Sequence, residues 1–206
     1  SSAMPSLSLA LACTEVMNTS FIVTFRKSFC PSPALRAINT AALRTMTSDQ
    51  LDALTGTQMA QLTTGQVAAL TTAQLSNLGS DDLNALSSSQ FSALSSTQVA
   101  SLTSDQIGTL QSDDVRAISS AGLRAWSTDQ LAALSETNMG ALTTAQVASL
   151  TTAQVSSLVT DDLNALGTAQ FAALTTAQVT SLTGAQVGGL VSDDLRAMTT
   201  AQFGAM

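Results

Sequence analysis

The chain has 206 residues and a net charge of −7, with only 10% charged and 3% aromatic residues. It contains no His and no Tyr, and its two cysteines are too few for a four-thiolate metal site. The acidic balance disfavours nucleic-acid binding. Because the commonest general base is absent, Ser-rich sequence alone makes no nucleophile, so we predict no enzyme and no catalytic, cofactor-binding or metal-ligating residues.

Residues 1–30 form the first predicted segment and contain no repeat. Residues 6–13 (SLSLALAC) and 21–25 (FIVTF) are apolar runs, both far shorter than the ~18 residues of a membrane span. We interpret residues 1–30 as an N-terminal cap over the open end of an array; disorder of the first four residues is the alternative. Cys13 and Cys30 form either a disulfide or two free thiols.

Residues 31–206 divide without insertion into 22 units of eight residues, here called octads. Residues 143–150 (TTAQVASL) are typical: position one is Thr or Ser, position four Gln, position five apolar and position eight Leu. Thr-x-x-Gln before an apolar residue is a capping box, which satisfies amides that a helix start leaves unpaired. Position eight of one octad and position five of the next are placed as a hydrophobic staple.

The octad therefore predicts an all-α solenoid of very short capped helices, one per octad. In one continuous helix, eight residues advance roughly 800°, so the apolar stripe would drift by about 80° per octad. In a strand, positions five and eight would point to opposite faces, although a β-solenoid remains the alternative. Positions five and eight are the predicted core. We expect the glutamines at helix starts, with side chains near the preceding cap. The predicted core residues are Val147, Leu150, Val155, Leu158, Leu163, Leu166, Phe171 and Leu174. The glutamines expected at helix starts are Gln146, Gln154, Gln170 and Gln178.

A longer repeat of 80 residues lies over the octads and is marked by Asp pairs. Residues 81–86 recur at 161–166, and residues 113–118 recur at 193–198. The even spacing of these octads favours two octads per coil. Their first residue is not Thr or Ser, so we expect the cap to move to position two, at Ser80, Ser112, Thr160 and Ser192. The Asp residues then lie in the first helical turn, where the helix dipole favours anions; calcium binding is the alternative, without the usual ligand spacing.

Two further residue types depart from the consensus. Trp126 stands at position eight, where a core role is expected. Arginines at position six lie beside the core stripe and are candidates for pairing with the Asp residues: Arg36, Arg44, Arg116, Arg124 and Arg196.

Units such as 143–150, 151–158 and 175–182 resemble the octapeptide arrays of large bacterial secreted and surface proteins, which are structural or adhesin-like. The resemblance implies an extracellular or cell-surface location and a stiff rod, stalk or filament subunit. The alternative is an adhesin or binding module that engages a surface or carbohydrate through its regular Ser/Thr/Gln face. No nucleic acid, membrane span or cofactor is expected.

The last octad is complete at Met206 and no C-terminal cap follows it in the sequence. Apolar residues of the last coil would then face water, a pattern that is typical of an interaction site. We therefore expect either self-association end to end or a longer natural array.

Overall fold

A computed structural model describes residues 32–206 of the chain. In this part there are 22 α-helices of four to six residues and no strands. Their bounds are α1 Ser32–Ala37, α2 Thr40–Thr45, α3 Ser48–Asp52, α4 Gly56–Met59, α5 Thr64–Ala69, α6 Thr72–Ser76, α7 Ser80–Asn84, α8 Ser88–Ser92, α9 Ser96–Ala100, α10 Ser104–Gly108, α11 Ser112–Ala117, α12 Ser120–Arg124, α13 Thr128–Ala132, α14 Glu136–Ala141, α15 Thr144–Ser149, α16 Thr152–Ser157, α17 Thr160–Asn164, α18 Thr168–Ala172, α19 Thr176–Thr180, α20 Gly184–Gly189, α21 Ser192–Ala197 and α22 Thr200–Phe203.

Each octad forms one helix and one extended corner, as its sequence predicts. In the octad of α15, Thr143 is the N-cap with φ −74° and ψ 156°, and Leu150 leaves the helix with φ −57° and ψ 147°. Positions eight and one are therefore the break between helices. No residue of the described part has a positive φ, so the corners need no left-handed glycine. The prediction of an all-α array of short helices is confirmed.

The described chain forms two compact units, one ending at Leu94 and the other Ser95–Met206. Within each unit, a helix packs most closely against the third helix after it. Examples are α2 with α5 in the first unit and α12 with α15 in the second. The expectation of two octads per coil is wrong. The even spacing on which it rested reflects the 80-residue duplication, whereas the contacts place between three and four octads in a coil.

The core follows positions five and eight, as predicted. Val147, Val155 and Phe171 at position five are completely buried, and Leu150 and Leu158 at position eight are 5% and 3% exposed. The same holds for Leu163, Leu166 and Leu174, which complete the predicted set. A helix of five residues has only one apolar face about a turn long, so its burial depends on helices of neighbouring coils.

The N-terminal calls lie outside the described residues. These are the cap over residues 1–30, its two apolar runs and the state of Cys13 and Cys30. Within residues 32–206, no helix has the length and apolar character that crossing a membrane requires.

Candidate functional site

The most regular feature of the array is the Gln side chain at position four. Its first role is to form a capping box with the residue at position one of the same octad. The Thr143 N–H donates to Gln146 Oε1 (2.7 Å), and the Gln146 N–H donates to Thr143 Oγ1 (3.2 Å). Thr151 and Gln154 repeat the pair with distances of 2.8 and 3.1 Å. The predicted position of the glutamines at helix starts, close to the preceding cap, is confirmed.

The other end of the same amide reaches a different coil. Gln146 Nε2 donates to the carbonyls of Val115 and Ile118, both at 2.8 Å. These acceptors lie 31 and 28 residues earlier, at positions five and eight of the octad four units back. We call this arrangement the glutamine ladder. The same offsets recur for Gln66, Gln74 and Gln90 in the first unit and for Gln154, Gln178, Gln186 and Gln202 in the second.

The ladder explains why a polar side chain can be buried at every coil. Gln146 and Gln154 are 3% and 2% exposed, so each unpaired polar atom there would cost about 1–3 kcal/mol. A short helix leaves its last carbonyls without partners. A primary amide offers one acceptor and two donors, which match one cap N–H and two carbonyls. One side chain thus satisfies the start of its own helix and the end of another.

The ladder was not predicted from the sequence, although the sequence contains its signal. A capping box accepts either Glu or Gln at this position, yet no octad of this chain has Glu at position four. A carboxylate could serve the cap N–H but has no N–H to donate to the carbonyls. The exclusive use of Gln over Glu therefore pointed to a second, donor-requiring contact.

Each position-four side chain with its acceptor carbonyls is one rung of the glutamine ladder, and at one rung Trp126 supplies a donor. It is 3% exposed, which confirms the predicted core role, and its indole Nε1 donates to the Val99 carbonyl at 2.9 Å. By the usual offset this carbonyl would accept from Gln130. Gln130 donates instead to Ala100 and Leu102, at 3.0 and 2.6 Å. The indole thus replaces an amide donor at one place in the array.

Asn138 shows what a shorter side chain does at position four. Its Nδ2 donates to the Leu110 carbonyl at 2.6 Å, again 28 residues earlier. Its Oδ1 accepts from the Ser112 hydroxyl at 2.8 Å. Asn138 is 3% exposed. A side chain one methylene shorter than Gln therefore still reaches the position-eight carbonyl, but only that one.

The Asp-pair octads differ from the prediction in where their helices begin. Their N-caps remain at position one and carry no side-chain cap bond; these are Gly79, Gln111, Val159 and Val191. The expected caps at Ser80, Ser112, Thr160 and Ser192 are instead the first helical residues. The shift to position two is therefore wrong, because every octad keeps the same corner. Both Asp residues of each pair do lie in the first turn, as predicted.

The second Asp of each pair occupies the glutamine position of the ladder. Asp114, Asp162 and Asp194 are 5%, 7% and 3% exposed. Burial, and then the charge of Asp113, raises the pKa of Asp114 to about 6. Burial is also the main cause of the raised pKa of Asp162 and of Asp194. A carboxylate in this position has lost water without gaining a cation, which favours its neutral form.

The arginines at position six make one of the predicted contacts with Asp in the described part of the chain. Arg196 lies 3.4 Å from Asp193, and both side chains are about 80% exposed, so the pair adds little stability. Arg116 Nε donates instead to the Ala141 carbonyl at 3.0 Å. It thus joins two helices through the main chain.

Carboxylates also line a cavity of about 420 Å³ in the first unit, where Asp52, Asp81 and Asp82 lie beside Gly56 and Gly79. Among residues 32–206, no group of three or more Asp, Glu, His or Cys side chains is arranged to hold a metal ion. The calcium alternative for the Asp pairs therefore gains no support from this part of the chain.

Comparison with known families gives a match to a model of the ALTTAQ repeat. It matches residues 34–64, 75–112, 107–144 and 156–192, together more than half of the chain. None of the curated proteins compared with the chain matches it. The octads, their short helices and the recurring Thr-x-x-Gln box agree with this match, and the chain belongs to the ALTTAQ repeat family.

Proposed function

We propose that this repeat protein is a structural module, used as a stiff extracellular rod, stalk or filament subunit, and that it catalyses no reaction. The observation that carries the proposal is the glutamine ladder. It joins octads four apart through buried hydrogen bonds in both units, as Gln66 does in the first and Gln154 in the second.

The ladder supports stiffness because the bonds it makes depend on register. Sliding one coil along another by a single residue would separate Gln154 from the carbonyls of Leu123 and Trp126, which it now meets at 2.9 Å. Each buried group left unpaired costs about 1–3 kcal/mol. The penalty recurs at every octad that carries the amide, so bending or sliding is opposed along each unit.

If the protein is a rod, its longest dimension should depend on the number of octads that it contains. Deleting residues 111–190 removes ten whole octads and joins Leu110 to Val191, a junction that preserves the octad and the 80-residue repeat. By small-angle scattering and electron microscopy, we expect the longest dimension to shorten in proportion to the octads lost, with an unchanged cross-section. An unchanged longest dimension, or a change in cross-section, would contradict the proposal.

We also propose that copies of the chain associate end to end. Support comes from the exposure of two apolar side chains, Phe203 (50%) and Met206 (53%), at positions five and eight, where most other residues are buried. A head-to-tail contact between identical surfaces produces an open filament unless its rotation closes a ring.

Sedimentation velocity at increasing concentration tests this association. Replacing Phe203 and Met206 with Ser should reduce the assemblies that form. A matched control is Val159→Ser, which removes another exposed apolar side chain (60%) away from this end. A monomer at every concentration, or an equal effect of the control, would refute end-to-end contact through these residues.

A binding module at a cell surface is the second candidate. It is supported by the hydroxyl groups at position two, where Thr144, Thr152 and Thr176 are exposed at the starts of their helices. Rows of hydroxyls at fixed spacing suit carbohydrate or a mineral surface. A glycan array and adsorption to mineral particles would test this role, with each Thr replaced by Val in the control chain.

A further inference from the structure

Three buried carboxylates of the second unit, those of Asp114, Asp162 and Asp194, stand where the ladder elsewhere has an amide donor. Asp162 and Asp194 occupy position four, and the position-eight carbonyls 28 residues earlier are those of Leu134 and Leu166. At the same offset, Gln178 and Gln186 donate to Leu150 and Leu158 at 2.8 and 2.7 Å. An ionised Asp has no hydrogen to donate to such a carbonyl.

Asn138 provides the geometric precedent, because Asn and Asp have the same shape. Its Nδ2 lies 2.6 Å from the carbonyl 28 residues earlier, that of Leu110. An Asp in the same rotamer would place a carboxyl oxygen there instead. Two oxygens at hydrogen-bond distance attract only when one of them carries a proton.

The need for a proton is clearest at Asp194, whose buried carboxyl has an oxygen without a donor among residues 32–206. The residue is 3% exposed, and within the described part of the chain its Oδ2 is buried with no hydrogen-bond partner. The Leu166 carbonyl lacks the glutamine donor that serves its counterparts Leu150 and Leu158. A buried acceptor without a donor is unfavourable, and one proton shared by Asp194 Oδ2 and the Leu166 carbonyl would satisfy both.

The charges around Asp194 favour the neutral carboxyl. Its own helix, α21, carries Asp193 and Arg196, which pair with each other at the surface. The helix packed against it, α18, carries no charged residue, and α17 carries Asp161 and Asp162. Burial and then the charge of Asp193 raise the pKa of Asp194 above its usual range.

The surroundings of Asp162 are similar. Burial raises its pKa, a hydrogen bond from the Val159 main chain opposes this, and Glu136 and Asp161 raise it further. Glu136 lies on α14, which packs against α17, and α20 on the other side has no charged residue. Asp129 on α13 adds another negative charge.

We propose that Asp162 and Asp194 are protonation-dependent rungs of the ladder, each donating its carboxyl O–H to the position-eight carbonyl 28 residues earlier. The proton replaces the amide hydrogen of Gln. When the carboxyl ionises, the rung becomes repulsive and the two coils that it joins are held less firmly. The second unit is therefore more stable in acid than at neutral pH.

The direction follows from proton binding. The folded state holds these protons to a higher pH than the unfolded chain does, so stability is greatest below the unfolded pKa. It falls as pH rises through the folded pKa and levels off above it. A surface carboxylate that is stabilised by a cation would give the opposite trend.

Hydrogen exchange of the full chain at several pH values tests the proposal. Asp194→Asn keeps the shape and supplies a permanent donor, as Asn138 does. We expect this variant to raise protection of the α17 and α21 amides at pH 7 by up to about tenfold, the factor that one net hydrogen bond supplies. Its protection should then change little with pH once intrinsic exchange is corrected for. Asp193→Asn is the matched control, since it removes the same charge from the exposed neighbour.

Carbon-13 NMR of Asp carboxyls in the unmodified chain provides a second measurement that needs no variant. Three carboxyls of the second unit, those of Asp114, Asp162 and Asp194, should titrate above the usual Asp range, and the signal of Asp194 is identified by its loss in Asp194→Asn. Equal effects of Asp193→Asn and Asp194→Asn on the pH dependence would overturn the proposal. So would normal titration of all Asp carboxyls in the unmodified chain.

Discussion

Replacing Gln154 with Met tests whether the ladder, rather than the capping box, holds neighbouring coils together. Met is unbranched and similar in length, so the buried space stays filled while the amide is lost. Three hydrogen bonds disappear: one from the Thr151 N–H at 2.8 Å and two to the Leu123 and Trp126 carbonyls at 2.9 Å. The variant isolates the polar contribution of one rung.

The magnitude follows from which groups are left unpaired. The Leu123 carbonyl still accepts from the Trp126 N–H at 3.2 Å, so it loses little. Trp126 is buried and its carbonyl keeps no such partner, whereas half-buried Thr151 can turn its N–H to water. The buried unpaired carbonyl costs about 1–3 kcal/mol and the other lost hydrogen bonds together about 1 kcal/mol, so the free energy of unfolding should fall by about 2–4 kcal/mol.

Two controls separate the ladder from the cap. Gln50→Met removes the capping-box bond from Thr47 (2.8 Å), and no Nε2 partner of Gln50 occurs in the described part of the chain; the expected loss is about 0.5–1 kcal/mol. Thr151→Ala removes only the cap hydroxyl beside Gln154, for about 1 kcal/mol. Urea unfolding followed by circular dichroism gives the global values, and hydrogen exchange gives the local ones in α12 and α16. Equal losses in Gln154→Met and both controls would refute the reasoning.

Four further changes have defined outcomes in thermal or urea unfolding. Leu158→Ala should cost about 2–5 kcal/mol because position eight is core; a loss below about 0.5 kcal/mol would contradict this. Gly140→Ala should destabilise by about 1–3 kcal/mol, since its Cβ would lie 2.8 Å from the Ala165 carbonyl oxygen. Gly188→Ala, with no atom within 4 Å of the new Cβ, should stabilise its helix by up to about 1 kcal/mol. Burial raises the pKa of Asp114 from 3.8 to about 6, so stability should fall as pH rises between these values, and Asp114→Asn should remove that fall.

The octad determined the local structure without help from the rest of the chain. A capping box joins residues three apart, so the pair Thr143 and Gln146 specifies a helix start within one octad. Positions five and eight lie one turn apart on the helix, which places Val147 and Leu150 on the buried side. The absence of His likewise decides against imidazole chemistry before any fold is known.

The stacking of the coils was decided only by the tertiary structure. How many octads complete a coil depends on the angle at every corner, and small differences in ψ near 140–160° at positions eight and one add up over several octads. No pair within an octad encodes that sum, so the expected two octads per coil was wrong. The same limit concealed the second role of Gln146, since its acceptors at Val115 and Ile118 are 31 and 28 residues away. Only the packed coils bring a donor at position four against carbonyls that another helix end has left unpaired, and only they bury Asp194 where an amide would otherwise stand.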